Sequence, residues 1–409
     1  MASTPIAGTA TLGAVPLRQD AQIIGLVSVA HLISHFSQLL LPPLFPWLKE
    51  ALGASYTELG FLMTVFFGVS CAVQAASGFW VDKYGPRPVL FMGLGLIGVA
   101  ALGFSLVNSY GGLLVFVVLA GVGNGVFHPV DYTLINKKVS APRLGHAYST
   151  HGLSGSLGWA LAPAVLVPIT MASSYRVALQ VASAMAFAVL VLLWFKRKEL
   201  VMPSDPPRQA TEFVAKSQSF AFLRIPAVWA CFGFFLLFAI VISVIQAFAP
   251  EAARQLHGLP LGMAAACLTI YMVCSAGGMV LGGFLASDPA RCERVVGIAF
   301  ACAAALSLVL GLAPLPHLAV PALFAMMGFA AGTAGPSRDL LVKKTTPDNA
   351  TGRVYGVVYA GLDIGQATAP LMFGPLMDRG QFVGVFIGLA MVQLLLIGGA
   401  FNVRKARRT

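Results

Sequence analysis

Ionisable side chains stand inside long apolar runs, and their spacing is helical. His31, His35 and Gln38 recur at i, i+4 and i+7, and so do Asn124, His128 and Asp131. On a helix each set forms one stripe on one face. Tyr355, Tyr359 and Asp363 make a third stripe, with Gln366 just beyond. Tyr148 with His151, Gln246, and the pair Arg338–Asp339 lie in further apolar runs. An ionisable group at the centre of a bilayer costs about 2.5–3.5 kcal/mol on insertion scales, so each of these is a candidate for function. The chemistry on offer is proton transfer and anion recognition. The carboxylates Asp131 and Asp363 can take up and release protons, and His128, one turn from Asp131, can relay them because imidazole titrates near neutral pH. Arg338 can hold an oxyanion through two parallel hydrogen bonds. His31 and His35 have the spacing of a zinc pair, but Leu32 rather than Glu follows His31 and no third ligand is evident. No metal is expected.

The elements that must position these residues are membrane helices. The chain has 409 residues, 58% hydrophobic and only 10% charged, whereas a soluble domain carries about 25% charged residues. Mean hydropathy is +0.83. Twelve spans of about 20 apolar residues fit this length. They read as roughly 21–48, 56–79, 88–108, 111–139, 143–171, 174–195, 226–249, 260–285, 294–314, 318–343, 352–377 and 381–402. The runs are continuous rather than alternating, so they predict helices and not a barrel. Residues 1–20 lack a basic start leading into an apolar run and a cleavage site, so the first span is expected to be retained. With the first residues inside, 21 of the 26 basic residues fall on the cytoplasmic side. This asymmetry predicts an inner-membrane protein with both ends cytoplasmic. It also accounts for the net charge of +11, which then carries no nucleic-acid signal. No GxxxxGK[ST] phosphate loop occurs, so neither ATP hydrolysis nor any cofactor is expected, and the chain does not read as an enzyme.

Residues 196–225 are polar, basic and Pro-bearing, which marks a linker between two six-helix halves, 21–195 and 226–402. Residues 1–20 and 403–409 form cytoplasmic tails. A shift of 207 residues superposes Gly121, Gly125, Pro129, Tyr148, Gly158 and Pro163 on Gly328, Gly332, Pro336, Tyr355, Gly365 and Pro370, part of 11 identities over 43 positions. Six helices separate the copies, so the halves run parallel, and such repeats set a substrate site near the midplane between them. The repeat glycines suit close helix contacts and the prolines suit kinks.

Between the second and third spans, Gly78-x-x-x-Asp82-Lys83-x-Gly85-x-Arg87 resembles the signature turn of the major facilitator superfamily. Three stretches are similar to the fosmidomycin-resistance type of efflux protein within it: Leu39 to Glu50 with Ser55 to Gly60, Gly125-Val-Phe-His128-Pro129, and Gly145 to Gly158. Val130 stands where that family usually has Glu, with Asp131 one place later. The resemblance implies an all-α fold of two pseudo-symmetric six-helix halves. It further implies that the first, fourth, seventh and tenth helices line a cavity, and that Gly78, Asp82, Lys83, Gly85 and Arg87 form a conformational latch. His31, His35, Gln38, Asn124, His151, Gln246, Arg338, Tyr355, Tyr359 and Gln366 would then face the substrate, with Asp131, His128 and Asp363 coupling protons. Two readings of Asp131 stand: a coupling carboxylate, or a structural salt-bridge partner roughly 10 Å from the midplane. Arg338, its repeat partner, either pairs with Asp131 or binds the substrate. The expected function is proton-coupled export of a small polar or anionic molecule by a monomer in the lipid bilayer. Proton- or ion-coupled import of an organic acid is the alternative.

Overall fold

The computed structural model describes residues 16–202, 226–285, 292–338 and 351–406, and no strand occurs among them. Eleven described stretches are long and apolar enough to cross a membrane. The 28-residue helix Thr351–Asp378 adds another of that length. We number these α1 (Leu17–Gln38), α2 (Tyr56–Tyr84), α3 (Pro86–Leu106), α4 (Tyr110–Lys138), α5 (Leu144–Ala172) and α6 (Tyr175–Phe195). The second set is α7 (Pro226–Ala247), α8 (Leu261–Leu285), α9 (Cys292–Leu312), α10 (Ala319–Arg338), α11 (Thr351–Asp378) and α12 (Phe382–Ala406).

Three boundaries differ from the sequence reading, each for a local reason. α1 starts at Leu17, inside the expected tail, because Asp20 is buried and accepts hydrogen bonds from Ser140 N at 3.2 Å and Arg143 Nη1 at 2.7 Å. α1 then ends at Gln38 instead of continuing to residue 48, since Pro42 and Pro43 open a 3-10 turn before the short helix Phe45–Leu52. α4 is broken at Gly125 and Val126, between Tyr110–Asn124 and Phe127–Lys138. Pro129 has no N–H to give the Gly125 carbonyl, and Ser77 Oγ donates to that carbonyl from α2 at 3.4 Å instead.

The packing repeats itself after six helices. α1 packs on α5, α2 on α4 and α3 on α6; likewise α7 packs on α11, α8 on α10 and α9 on α12. The repeat glycines lie at these contacts. A Cβ on Gly328 or Gly332 of α10 would come within 2.2 Å of Tyr271 O or 2.0 Å of Ser275 O on α8. Their counterparts Gly121 and Gly125 on α4 would meet Phe66 O at 2.8 Å and Ser70 O at 2.5 Å on α2. Absent side chains thus let backbones touch where no hydrophobic effect would drive helices together.

The halves meet along two pseudo-symmetric seams, α2 with α11 and α5 with α8. Thr64 Oγ1 donates to the Ala367 carbonyl at 2.7 Å in the first seam, and Thr269 Oγ1 to the Ala160 carbonyl at 3.5 Å in the second. The first seam is tied further where α2 begins. Asp378, at the end of α11, accepts from Tyr56 N at 2.7 Å, from Thr57 N at 2.9 Å and from the Thr57 hydroxyl. Tyr56 Oη donates to Glu251 at 3.2 Å, and Glu251 is paired with Arg254 at 2.7 Å. This end of the bundle is closed by bonds between the halves.

Candidate functional site

Four of the seven histidines gather around one carboxylate in the first half. Asp131, on the α4 segment after the break, has no exposed surface. His31 Nδ1 from α1 donates to its Oδ2 at 3.0 Å, and His151 Nε2 from α5 donates to the same oxygen at 3.1 Å. The two imidazoles stack with centroids 3.6 Å apart, and Asp131 Oδ1 has no hydrogen-bond partner. The other rings follow the stripes. His35 lies 4.4 Å from His31 and 4.5 Å from the Trp159 ring, and His128 lies 5.4 Å from His31. The α4 break turns the His128–Asp131 segment so that both side chains meet α1, and Gly155 and Gly158 let α5 close on it. A Cβ at Gly158 would stand 2.3 Å from the Leu32 carbonyl.

Two sets of hydrogen bonds flank this cluster. Toward the start of α4, Asn124 accepts from Ser34 Oγ at 2.9 Å and Gln38 Nε2 at 3.2 Å, and donates to Ser70 Oγ at 2.8 Å. Trp159 Nε1 donates to Gln38 Oε1 at 2.9 Å. Toward the other half, His128 Nδ1 donates to Gln74 Oε1 at 3.1 Å, and Gln74 Nε2 donates to Asp363 Oδ2 at 3.3 Å. Gln74 is on α2 and Asp363 on α11, so this bridge crosses the seam between the halves. His128 packs 5.4 Å from the His31 ring and 6.4 Å from the His151 ring, so ring contact rather than a hydrogen bond links Asp131 and its two imidazoles to the Gln74–Asp363 bridge.

The structure thus brings His31, His35, His128, Asp131 and His151 together, with Gln38 and Asn124 one layer away and Asp363 across the seam. Gln246 and Gln366 are both buried, and Gln246 Nε2 and Gln366 Oε1 lack partners. Arg338 is not paired with Asp131. Its guanidinium lies over the rings of Phe238 at 4.4 Å and Phe235 at 5.1 Å on α7. The 207-residue shift carries His31 onto Phe238, so the position that gives Asp131 an imidazole gives Arg338 an aromatic face. Tyr355 and Tyr359 lie on α11, but their side chains, like Asp339 as a whole, lie outside the described residues. So do most of the 196–225 linker and most of both tails.

The signature turn is compact. Gly85 has φ +83°, a conformation closed to other residues at little cost, and Pro86 opens α3 directly after it. Asp82 lies in the last turn of α2 rather than after the helix, and it is exposed. Among the described residues it makes no ion pair with Lys83 or Arg87. Lys83 instead lies over the Tyr84 ring at 5.1 Å. Sequence reasoning passed over Gln74, Ser34, Ser70, Trp159 and Asp378. A lone amide inside the apolar run of α2 was the available signal for Gln74.

The comparisons agree with this architecture. A solved bacterial homologue of the human lysosomal transporter Spinster, in an inward-facing and occupied conformation, superposes with a TM-score of 0.75 over 97% of this chain and 98% of that one. Its sequence identity is 14%, so the likeness is one of fold. The uncharacterized MFS-type transporter YfnC of Bacillus subtilis is 25% identical over 91% of this chain and 90% of its own. The fosmidomycin resistance protein of Escherichia coli is 30% identical over 39% of each chain. The probable sulfoacetate transporter SauU of Cupriavidus necator is 28% identical over 43% of this chain and 41% of its own. The family model described as Major Facilitator Superfamily matches residues 27–370. The chain is a multi-pass membrane protein and belongs to the major facilitator superfamily of transporters.

Proposed function

We propose that this chain is a proton-coupled secondary transporter that exports a small organic anion through the inner membrane by alternating access. The observation that carries the reading is the line of side chains from Asp131 to Asp363. His128, packed against the imidazoles that hold the fully buried Asp131, is hydrogen-bonded through Gln74 to Asp363 in the other half, across a seam that must part when the cavity changes sides. A proton on Asp363 removes the charge that Gln74 Nε2 addresses, so protonation and the hold between halves are linked at one atom pair. Asp131, His128 and Asp363 are the coupling groups. Arg338, with His35, Gln246 and Gln366, forms the substrate face. Fosmidomycin and sulfoacetate, the molecules named for two relatives, are a phosphonate and a sulfonate, and a guanidinium is the natural counterpart of both.

The two halves, joined by the 196–225 linker and with both ends cytoplasmic, act as one monomeric unit. The closed end at Tyr56 and Asp378 faces away from the cytoplasm. The turn at Gly78 to Arg87 is the latch of the opposite state, which fits the unpaired geometry of Asp82 in this one.

The test is accumulation of a fosmidomycin-like phosphonate in inside-out vesicles energised by an imposed pH gradient, wild type against Asp131→Asn. Gradient-dependent uptake in the wild type and none in the variant is expected. Gradient-independent uptake in the wild type would remove proton coupling. Uptake only in vesicles of the opposite orientation would turn export into import.

A further inference from the structure

The histidine cluster has a property that proton coupling does not require. His31 and His35 sit one turn apart on α1, and His128 opens the α4 segment that packs against them. One ring nitrogen from each lies within 4.8 Å of the other two. His31 spends Nδ1 on Asp131 and His128 spends Nδ1 on Gln74, which leaves Nε2 of each ring with its lone pair. His35 spends neither: both of its ring nitrogens are buried without a hydrogen-bond partner. A buried imidazole with two idle nitrogens is costly in an apolar helix bundle unless something else binds it.

We propose that His31, His35 and His128 form a three-imidazole site for a divalent transition-metal cation of the Zn2+ class. Three neutral imidazoles with one open position make a donor set suited to Zn2+, Co2+, Ni2+ or Cu2+ and unsuited to Mg2+ or Ca2+. The outer groups are those such sites use. A ligating imidazole commonly donates its other N–H to a carboxylate or a carbonyl oxygen, which fixes ring tautomer and orientation. Asp131 does this for His31 and the Gln74 amide oxygen does it for His128, at 3.0 Å and 3.1 Å. Asp131 also supplies negative charge one ring away from the ion.

Space exists on the α5 side. A Cβ at Gly155 would stand 2.9 Å from His35 Nδ1 and 3.1 Å from His31 Nε2, so glycine there keeps both nitrogens uncovered. A tetrahedral ion with bonds of about 2.0–2.1 Å needs nitrogens roughly 3.3 Å apart. Their separations, up to 4.8 Å, must close by up to about 1.5 Å; His35, which no hydrogen bond holds, is free to rotate toward the other two, and small rotations of His31 and His128 supply the rest. The fourth position is left for water or for an oxyanion. The sequence offered the pair His31 and His35 without a third ligand. Only the packing of α1 on the broken α4 supplies it.

The site is tested by metal binding, which needs neither a known substrate nor transport and so stands or falls apart from the transport reading. Purified full-length protein with a non-histidine tag is stripped with chelator and titrated with Co2+ alone. One Co2+ per chain is expected, with the intense visible absorption of a four-coordinate site. His35→Ala and His128→Gln are each expected to weaken binding at least about 100-fold, since loss of an outer partner already costs 10–100-fold. Two different ligands are replaced so that misfolding of one variant, read by size-exclusion chromatography, does not decide the matter. His146→Ala, on an exposed residue away from the cluster, is expected to leave the titration unchanged. Less than one Co2+ per chain, octahedral-type weak absorption, or equal binding in folded His35→Ala and His128→Gln would overturn the assignment.

Discussion

Asp378→Ala should open the end of the bundle where α2 begins. Asp378 belongs to the second half, yet it accepts hydrogen bonds from the first two backbone N–H groups of α2 and from the Thr57 hydroxyl. α2 does not need Asp378 to stay helical, because Ser55 and Glu58 form its own capping box, with bonds of 3.1 Å and 2.8 Å. The lost interaction is therefore read in the approach of the halves and not in melting of the helix. A carboxylate at a helix start contributes about 1 kcal/mol through its cap bonds and about 0.3–1 kcal/mol through the helix dipole. Counted together and with Asp378 exposed, about 2 kcal/mol favours the closed end, or about thirtyfold at 1.4 kcal/mol per factor of ten. A closed-to-open ratio of about 99:1 would then fall to about 3:1. Spin labels at Glu50→Cys and Gln255→Cys, one on each half in a cysteine-free background, report the gap as a distance distribution. The variant should add a longer-distance population, with Asp378→Asn between variant and wild type. An unchanged distribution in Asp378→Ala would refute the idea that this carboxylate holds the closed end.

Gln74→Leu removes the amide between His128 and Asp363 and leaves the helix apolar. One hydrogen bond to a charged group is worth about 1.5–3 kcal/mol, so gradient-driven accumulation should fall at least about tenfold, with thermal stability read in parallel to separate loss of coupling from loss of folded protein. Equal accumulation would detach Asp363 from the coupling path. Gly332→Val forces a Cβ to 2.0 Å from the Ser275 carbonyl, and overpacking of that kind costs about 1–3 kcal/mol. A lower unfolding temperature in detergent is expected, whereas Gly233→Ala, with nothing within 4 Å, serves as the neutral comparison. Asp82→Asn should abolish net flux while substrate binding persists, checked by parallel flux and equilibrium-binding assays; wild-type flux would end the latch assignment.

The fold was legible because a bilayer leaves few choices. Continuous apolar runs require helices, and the repeat of glycines and prolines marks where those helices touch and bend. The break in α4 follows from Pro129, a residue visible in the chain. The site was legible only in part. Helical spacing put His31 and His35 on one face and His128 and Asp131 on another, but spacing within a helix says nothing about which stripes meet. Thus His151 was found as a cavity residue and not as the second donor to Asp131. The repeat carried Arg338 onto Asp131 and suggested a pair, yet Arg338 lies over Phe235 and Phe238. A repeat preserves backbone position and leaves side-chain partners free to diverge. Asp378 was passed over because its partners lie more than 300 positions away on α2.

The divergence between repeat partners gives the molecule its asymmetry. In the first half the position of Asp131 is surrounded by imidazoles, the side chains proposed above for proton exchange and metal binding. In the second half the matching position is a guanidinium, which stays charged, over Phe238 in the place of His31, and the repeat partner of His151 is the apolar Val358. At this matched position the first half thus places titratable imidazoles and the second a guanidinium, while Asp363, the other proposed coupling group, also lies in the second half. In the reading proposed above, the guanidinium faces the organic anion and the imidazole cluster the proton or cation. Gln74, bonded to His128 on one side and to Asp363 on the other, is a hydrogen-bonded link between the cluster and the second half. The backbone repeat gives the two halves matching packing and matching seams, while the side chains at repeat positions have diverged, so each half can carry a different task.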